Sequence, residues 1–479
     1  MTESSFSGWQ PVRNGSKSLV NQLADSLAQR IETHGLRPGT KLPSIRVMAE
    51  QTKVSRFTVV EAYDRLAARG LVQSRRGAGF YVSTRYGTTP RRDSTPQSDA
   101  GRLQPPTPID VSWLLRSIFL ESTSISMPGG AGLLPSSWLD PGLVAAAVRS
   151  VGRTANSSLT TYGCPTGFGP LRQQLASRLQ NEGVPAHPEH NLLTANGVTH
   201  AMDLVARLFI KPGDTVLVED PAWFVIFGRL SAFGARLIGV PRGPEGPDME
   251  QLERLAALHK PRLFIINSSV HNPTGFTLSP GSAYDILRLA EKHDFMVVED
   301  DTYRELHPGG ATRLASLDQL DRVILTGGFS KILAASLRVG YIAANAEIIR
   351  KLTDQKLLSG LTSPELGERV VHRVLAEGQY RRHVERVRAR VDKARSLSIA
   401  RLQALGLVIP HEPQAGMFIW ADCKRDTETL ARAAVDQGLL LAPGTLFSPT
   451  QAPSSMMRFS VAMADSPSAW ETLANVLSI

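Results

Sequence analysis

The feature that most restricts the fold of this chain is a series of short, continuous apolar runs in its middle third. The runs lie at 215–219, 236–240, 263–267, 295–299 and 323–325. Each run is long enough for a strand and too short for a helix, and amphipathic helical patterns separate them. Continuous apolar strands that alternate with helices are typical of a sheet covered on both faces. The pattern therefore predicts a large α/β domain.

The C-terminal part of the chain has a different pattern. A long basic and apolar helix is predicted near 375–404, and short strand-like pieces follow at 416–421 and 456–462. This mixture favours a smaller α+β lobe attached to the large α/β domain. With 479 residues, the chain is long enough for two or three domains.

Several function classes are disfavoured by composition. No run of about 18 apolar residues occurs, so we expect no transmembrane helix and no membrane partner. The first residues lack the basic and apolar regions of a signal peptide. Cys164 and Cys423 are too few for a disulfide framework and fit the reducing cytosol, so we expect a cytoplasmic protein. We predict no metal site.

The basic charge is concentrated at the N-terminus. Residues 1–84 hold 12 Lys and Arg against 6 Asp and Glu, a net charge of +6, and residues 85–109 add +2. The remaining 370 residues contribute only +1 to the total of +9. A basic module joined to a near-neutral body indicates a polyanion-binding segment. Because 85–109 is rich in Pro, Ser and Thr, it is predicted to be an extended linker between domains at 1–84 and 110–479.

The segment before this linker has the pattern of a winged helix-turn-helix. Leu19, Leu23, Leu27 and Ile31 recur at helical spacing, and two short helices are predicted to follow. Ser44 and Ser55 are the expected N-caps of these helices. Two strand-like pieces, at 70–72 and 80–82, flank a basic, glycine-rich tip that is typical of a wing.

This module is predicted to contact double-stranded DNA. The third helix should enter the major groove with its N-terminal end, and the wing should reach phosphates or the minor groove. Helix N-termini also bind phosphate through their free N–H groups. The predicted DNA-contacting residues are Ser44, Arg46, Ser55, Arg56, Thr58, Arg75, Arg76, Gly77 and Gly79.

Polar residues that follow the predicted strands suit one cofactor chemistry. An amide at Asn272 can donate to a phenolate oxygen, and a carboxylate at Asp300 can hold a pyridine nitrogen protonated. Tyr303 can bind the same ring oxygen. Lys331 can form an imine with an aldehyde, and Arg338, seven residues later, can hold a phosphate. Strand ends of a doubly wound sheet are where such ligand groups are expected to meet.

These motifs resemble two known families. Residues 10–84, with Pro38-Gly-Thr-Lys-Leu-Pro-Ser44, Ser55-Arg56 and Gly77-Ala-Gly79, resemble the winged helix-turn-helix of GntR-family regulators. Residues 120–479, with Asn272-Pro-Thr-Gly275, Asp300, Tyr303 and Lys331, resemble fold-type I enzymes dependent on pyridoxal 5′-phosphate (PLP), the aminotransferases. The two in this order resemble the MocR subfamily of bacterial regulators.

The second resemblance implies a role for each matching residue. Lys331 is the expected internal aldimine lysine, Asp300 the partner of the pyridine nitrogen, and Arg338 a phosphate ligand. Arg458 is expected to clamp the carboxylate of an effector or substrate. The remaining expected cofactor-binding residues are Tyr303, Asn272, Trp223, Val198, Thr199, Ser330 and, across a dimer interface, Tyr162. One departure is Gly328, since many relatives have Ser or Thr three residues before the lysine.

The MocR resemblance implies a homodimer in which each DNA-binding domain packs against the large domain of its partner. It also implies promoter binding controlled by PLP, a small amine or amino acid, or both, with association to the nucleoid and without efficient turnover. Two alternatives remain open. The chain can be an active aminotransferase with an appended DNA-binding domain, or a DNA-binding protein whose body only dimerises.

Overall fold

A computed structural model of the chain describes residues 9, 11, 17–32, 36, 39–75, 79–83, 110–119, 127, 129–154 and 160–478. The chain divides into two compact units, Met1–Pro106 and Thr107–Ile479. The division falls inside the predicted linker, whose residues 85–109 lie outside the described part. Among the described residues, no helix is long and apolar enough to cross a membrane.

The N-terminal unit contains three helices followed by a two-stranded antiparallel sheet. These elements are α1 (Leu19–Glu32), α2 (Ile45–Thr52), α3 (Arg56–Ala68), β1 (Val72–Arg75) and β2 (Gly79–Val82). Ser44 caps α2 and Ser55 caps α3, each accepting a hydrogen bond from a backbone N–H three residues on. The predicted order of helix, helix-turn-helix and wing is therefore present in the structure.

The core of this unit joins all three helices to the wing. Leu23 and Leu27 of α1 pack with Met48 of α2 and Leu66 of α3, and all four are buried. Tyr63 is also buried, and its hydroxyl donates to the Pro43 carbonyl at 2.8 Å. This bond ties α3 to the segment before α2, so the orientation of α3 is fixed by packing from inside the unit.

The second unit is built on a mixed sheet. In the described part of the chain, its strands follow the order β3-β10-β9-β8-β7-β4-β5-β6. The pairs from β9 across to β5 are parallel, whereas β10 runs antiparallel to both β9 and β3. The strands are β3 (Leu192–Ala195), β4 (Thr215–Asp220), β5 (Arg236–Gly243), β6 (Gly246–Pro247), β7 (Leu263–Ile266), β8 (Met296–Asp300), β9 (Val323–Gly328) and β10 (Gly340–Ala343).

The order of these strands creates a ligand-binding edge. The chain passes from β4 to β5 on one side and then returns to β7 on the other side of β4. Side chains beyond the carboxyl ends of strands meet at such a switch point. β3, β4, β7, β8 and β9 are almost fully buried, as the continuous apolar runs predict, whereas β5 is only partly buried.

Helices cover this sheet and lead into the smaller lobe. They are α4 (Val111–Phe119), α5 (Pro141–Thr154), α6 (Gly169–Asn181), α7 (Val198–Phe209), α8 (Phe224–Ala232), α9 (Met249–His259), α10 (Pro280–His293), α11 (Leu314–Asp318), α12 (Ala346–Gly360), α13 (Glu365–Ala376) and α14 (Gln379–Ala404). The helix predicted near 375–404 begins later than expected. Gly378 has a φ of 70° and separates α13 from α14.

The smaller lobe places one buried arginine on its central strand. Its antiparallel sheet has the order β11-β13-β12, with β11 (Phe418–Asp422), β12 (Ala442–Pro443) and β13 (Met456–Ser460), and α15 (Thr427–Asp436) and α16 (Pro467–Ser478) lie beside it. Arg458 of β13 lies opposite Trp420 on one side and Ala442 on the other. A central strand holds its backbone firmly, so the direction of the Arg458 side chain is well defined.

Candidate cofactor and effector site

A cavity of about 580 Å³ lies at the carboxyl ends of the central strands. Volumes of this size are typical of small-molecule and cofactor sites. Nearly all of the cofactor-binding and effector-binding residues predicted from the sequence line this cavity. Lys331, Asp300, Tyr303, Asn272, Arg338, Trp223, Val198, Thr199, Ser330 and Arg458 all line it.

Lys331 follows β9 and points its amine into this cavity. Its Nζ donates to the carbonyl of Gly132 at 2.7 Å. Burial, followed by the positive charge of Arg458, lowers the pKa of Lys331 to about 8. At pH 7 about one amine in ten is then neutral, against about one in 3,000 for an ordinary lysine. A neutral amine is the form that attacks a carbonyl, so the site favours nucleophilic chemistry at Nζ.

Asp300 is the last residue of β8 and is buried at the floor of the cavity. Its Oδ1 accepts hydrogen bonds from the backbone N–H and the hydroxyl of Thr302, at 3.0 and 2.5 Å. Burial raises the pKa of Asp300 to about 6, while the Thr302 hydrogen bonds act to lower it. The carboxylate is therefore still mainly charged above neutral pH, as a partner for a protonated ring nitrogen must be.

Asn272 links the floor of the cavity to its effector end. Its Nδ2 donates to the Tyr303 hydroxyl at 3.4 Å, and its Oδ1 accepts from a guanidinium nitrogen of Arg458 at 2.8 Å. Burial raises the pKa of Tyr303, so its hydroxyl stays protonated and can donate. The amide orientation of Asn272 thus follows from the two groups that bind it.

Arg458 is buried among aromatic rings. Its guanidinium carbon lies 4.3 Å from the ring centre of Phe418 and 4.9 Å from that of Phe447. Burial lowers the pKa of Arg458 to about 10, which still leaves it charged at neutral pH. Its Nε is buried without a hydrogen-bond partner among the described residues. A cation held in this way is suited to bind a carboxylate that enters from the cavity.

The opposite end of the cavity has the features of a phosphate site. Arg338 donates to the carbonyl of Asn196 at 3.1 Å and to the Ser330 hydroxyl at 3.3 Å. It therefore lies beside the N-terminus of α7, whose Val198 and Thr199 line the cavity. Gly197 has a φ of 78°, and a Cβ there would lie 2.6 Å from the Arg338 guanidinium. The positive φ favours glycine here, and a larger side chain would displace the guanidinium. Helix N-termini bind phosphate readily.

Packing around position 328, which lines the cavity, explains why glycine is found there. A Cβ at this position would lie 3.2 Å from both a methyl of Val198 and the carbonyl of Val339. Serine or threonine would need these neighbours to shift. The hydroxyl of Ser330, immediately before the lysine, is hydrogen-bonded to Arg338.

Tyr162 is the one predicted cofactor residue that does not line the cavity. Its side chain is 80% exposed. The sequence prediction placed it at the cofactor of a partner subunit rather than at its own, so its exposure in a single chain leaves that prediction untested.

Most of the predicted DNA-contacting residues are exposed in the N-terminal unit. Ser44, Arg46, Ser55 and Arg56 are exposed at the N-termini of α2 and α3. Arg75 lies over the ring of Tyr81 at 4.6 Å, and Gly79 is exposed with a φ of 100°. Arg76 and Gly77 lie outside the described residues.

Thr58 is a correction to the predicted DNA contacts. It is only 9% exposed, and its hydroxyl lies 2.8 Å from that of Ser55. The side chain therefore belongs to the capping of α3 and does not face solvent. Its neighbour Phe57 was missed, although its side chain is 72% exposed at the start of the same helix. An aromatic residue this exposed beside Arg56 is a candidate for contact with base edges.

Comparison with known proteins identifies both units. Residues 134–475 match the model of aminotransferase class I and II, and residues 19–82 match that of bacterial regulatory proteins of the gntR family. The chain belongs to the aminotransferase class I and II family. It carries a GntR-family domain in front, so the predicted fused architecture and fold class are confirmed.

Individual members of this family cover most of the chain. A 2-aminoadipate transaminase of Thermus thermophilus is 33% identical over 383 residues, which is 76% of this chain and 91% of the relative. The probable rhizopine catabolism regulatory protein MocR of Rhizobium meliloti is 28% identical over 90% of this chain and 87% of its own length. A solved structure of kynurenine aminotransferase from Pyrococcus horikoshii has a TM-score of 0.71 and 26% identity, covering 77% of this chain and 94% of that one.

Class I and II aminotransferases depend on PLP, so the predicted cofactor is confirmed. The cavity of this chain fits that molecule on its own chemistry. An amine with a lowered pKa, a buried carboxylate and an arginine beside a helix N-terminus lie around one space. Lys331, Asp300 and Arg338 would hold the aldehyde carbon, the ring nitrogen and the phosphate, respectively.

Asn267 is a residue of this site that the sequence pattern did not reveal. It follows β7, and its Nδ2 donates to the backbone carbonyl of Asp300 at 2.7 Å. Its Oδ1 accepts from the backbone N–H of Asn272 at 2.9 Å, and its own N–H donates to Glu219 at 2.8 Å. One buried amide thus fixes the backbones of two predicted cofactor ligands. A polar residue that ends an apolar strand was the available signal.

Replacing Asn267 should weaken cofactor binding without removing any direct ligand. In Asn267→Ala, the Asp300 carbonyl and the Asn272 N–H lose their partner, which costs about 1–3 kcal/mol per buried group. We expect PLP affinity to fall about tenfold, measured by equilibrium dialysis. Ser269→Ala on the same loop is the matched control, because its hydroxyl has no partner among the described residues. Equal affinity in the two variants would contradict a positioning role for Asn267.

Proposed function

We propose that the chain is a PLP-binding transcriptional regulator. It binds double-stranded promoter DNA through the winged helix and senses PLP, an amine or an amino acid through a covalent bond at Lys331. The observation that carries the proposal is that one chain combines an exposed basic helix-turn-helix with an intact cofactor cavity. The MocR relative, named as a regulatory protein, matches 90% of the chain and so spans both units.

The DNA-binding part of the proposal rests on geometry and charge. Ser55 caps α3, and Arg56 and Phe57 are exposed in its first turn. A helix that presents its N-terminal side chains in this way can enter the major groove. Arg75, the last residue of β1 in the wing, can reach the phosphate backbone. The net charge of +6 over residues 1–84 supplies the electrostatic attraction.

The sensing part rests on the cavity. When bound, PLP supplies an aldehyde that condenses reversibly with amines and a ring that withdraws electrons. Lys331 offers the resident amine, and Arg458 offers a cation for the carboxylate of an incoming amino acid. An amino compound that displaces Lys331 and contacts Arg458 joins the large domain to the smaller lobe, since Arg458 lies on β13. Such a ligand can bias the arrangement of the lobes and so the spacing of two winged helices.

A homodimer is part of the proposal. Leu358 is 84% exposed, and Leu361 and Leu366 near it in sequence are about half exposed. Tyr162 is exposed as well, and Gly163 beside it lies against Glu365, so the two segments belong to one surface. Exposed apolar clusters of this kind mark interaction sites. We propose that a second copy covers this surface, with each DNA-binding domain packed against the partner's large domain, in a cytoplasmic protein that joins the nucleoid when bound to DNA.

DNA binding can be tested at Arg56. Arg56→Ala should weaken binding to the chain's own promoter by about 1–3 kcal/mol, or about 5- to 150-fold, because one base or phosphate contact is lost. Footprinting and fluorescence anisotropy with and without PLP would measure this. Arg65→Ala, at the C-terminal end of the same helix, is the matched control and should change affinity little. If both variants bind equally, α3 does not enter the groove as proposed.

An active aminotransferase is the second candidate, because the side chains expected for catalysis are all gathered at the cavity. Multiple-turnover transamination at about 1 s⁻¹ or faster would favour this function. Single half-reactions without turnover would favour sensing. If the purified protein takes up no PLP, the remaining alternative is a body that only dimerises.

A further inference from the structure

The lining of the cavity combines polar and apolar side chains. The polar ones include the predicted cofactor ligands and Arg458. The apolar wall is defined here by the residues that are not predicted cofactor ligands, namely Leu115, Ile118, Phe119, Leu133, Phe224 and Val225. The guanidinium carbon of Arg458 lies 5.6 Å from the ring centre of Phe224, so a ligand that reaches Arg458 also lies next to this wall.

Helix α4 supplies the most unusual part of the wall. Leu115, Ile118 and Phe119 have helical spacing, so they share one face of α4. Phe119 is 69% exposed although it lines the cavity. Leu114, one turn before Ile118, is fully buried, which anchors the helix to the large domain. An anchored helix that presents an exposed aromatic ring to a cavity offers apolar surface to a ligand.

The wall provides little for a second charged group. Arg229 is the cation that accompanies it, and its guanidinium forms an ion pair with Asp203. This pair offsets the charge of Arg229 and so weakens its attraction for a distal carboxylate, although its Nε is buried without a hydrogen-bond partner among the described residues. Among the described residues that line the cavity, the carboxylate is that of Asp300, so the wall offers no partner to a distal ammonium. The part of a ligand that lies against α4 is therefore expected to be apolar.

We propose that the effector is an α-amino acid with an unbranched or aromatic apolar side chain, which packs on Phe119, Ile118 and Leu115 while its carboxylate binds Arg458. This inference rests on the proposed sensing function and specifies its ligand. It disfavours dicarboxylic amino acids and short polar amines. The side chain would become buried between α4 and Phe224, so affinity should rise with the apolar area that the ligand offers.

A homologous ligand series tests this directly. The full-length, PLP-loaded protein is titrated with L-alanine, L-2-aminobutyrate, L-norvaline and L-norleucine, and the change in the cofactor absorption band gives each dissociation constant. Affinity should rise about fourfold per added methylene, or about 60-fold from alanine to norleucine. L-Glutamate and L-2-aminoadipate, which add a distal carboxylate, should bind more weakly than L-norvaline and L-norleucine.

Variants locate the effect on α4. In Phe119→Ala, the affinity should rise only about twofold per methylene of the ligand, whereas Phe119→Leu should retain most of the fourfold rise. Leu258→Ala, which truncates an exposed leucine outside the cavity, is the matched control and should leave the series unchanged. Sedimentation of each variant shows whether the dimer is intact.

The outcomes separate this inference from the proposed function. If amino acids perturb the cofactor band without regard to chain length, or if the dicarboxylic compounds bind best, only the apolar-effector inference is wrong. If Phe119→Ala dissociates a dimer and leaves selectivity unchanged, the wall belongs to a subunit interface and the inference is likewise wrong. If PLP binds and no amino compound perturbs the band, the sensing of amino compounds and this inference both fail, and only the sensing of PLP itself is left.

Discussion

Lys331→Ala should abolish covalent attachment of PLP and the response of DNA binding to amines. The amine of Lys331 lies in the cavity with a pKa of about 8, so it is the nucleophile available to the aldehyde. Borohydride reduction of the wild-type protein should add the mass of the cofactor to one peptide, and the variant should show no addition. Because the variant can hold PLP only noncovalently, its overall affinity for PLP should be at least about tenfold lower than that of the wild type, which is about 1.4 kcal/mol.

The chain contains an internal control for this experiment. Lys356 also has a pKa lowered to about 8 by burial, but its Nζ donates to Thr194 and it does not line the cavity. Peptide mapping of the reduced wild-type protein should place the added mass on Lys331 and not on Lys356. If Lys331→Ala regulates DNA binding as the wild type does, the covalent bond is not the switch.

Arg458→Leu should remove most of the affinity for amino acids while leaving PLP bound. The guanidinium is buried between Phe418 and Phe447, so a carboxylate bound there is shielded from water. Loss of one partner of such a pair costs about 2–5 kcal/mol, or about 30-fold and more in the dissociation constant. Leucine can fill the space between the rings, which limits damage to the fold. Titration of the cofactor absorption band measures the change.

Two comparisons show whether the carboxylate is responsible. Amines without a carboxylate, such as n-butylamine, should bind wild type and Arg458→Leu about equally. Arg229→Leu removes another cavity arginine, one already paired with Asp203, and should affect amino acids much less. An equal loss of affinity for amines and amino acids in Arg458→Leu would exclude a carboxylate clamp.

The sequence predicted those parts of the fold and site that depend on local pattern. The apolar runs predicted the buried strands, and the polar residues just beyond them are the ones that now line the cavity. Asn272, Asp300 and Lys331 could be placed together because carboxyl ends of parallel strands share one edge of a sheet. The caps Ser44 and Ser55 followed from residue type and position.

The missed features depend on packing between distant segments. Phe119 lies more than 200 residues before Lys331, and no periodicity in α4 indicates which cavity it lines. The role of Asn267 follows from the alignment of β7 beside β8, which a single sequence does not specify. Thr58 was assigned to DNA because of its place in α3, whereas its hydroxyl is held by Ser55 inside the unit. Local residue type did not distinguish these two roles.

The shared amide of Asn272 has a thermodynamic consequence. Its Nδ2 faces the Tyr303 hydroxyl at the cofactor floor, and its Oδ1 is bound by Arg458 at the effector end. Under the proposed function, a carboxylate that engages Arg458 also alters the group that orients a cofactor ligand. Linkage then requires that PLP and the amino acid change each other's affinity by the same factor. A promoter controlled in this way responds to the coincidence of two metabolites, and either one alone is an incomplete signal.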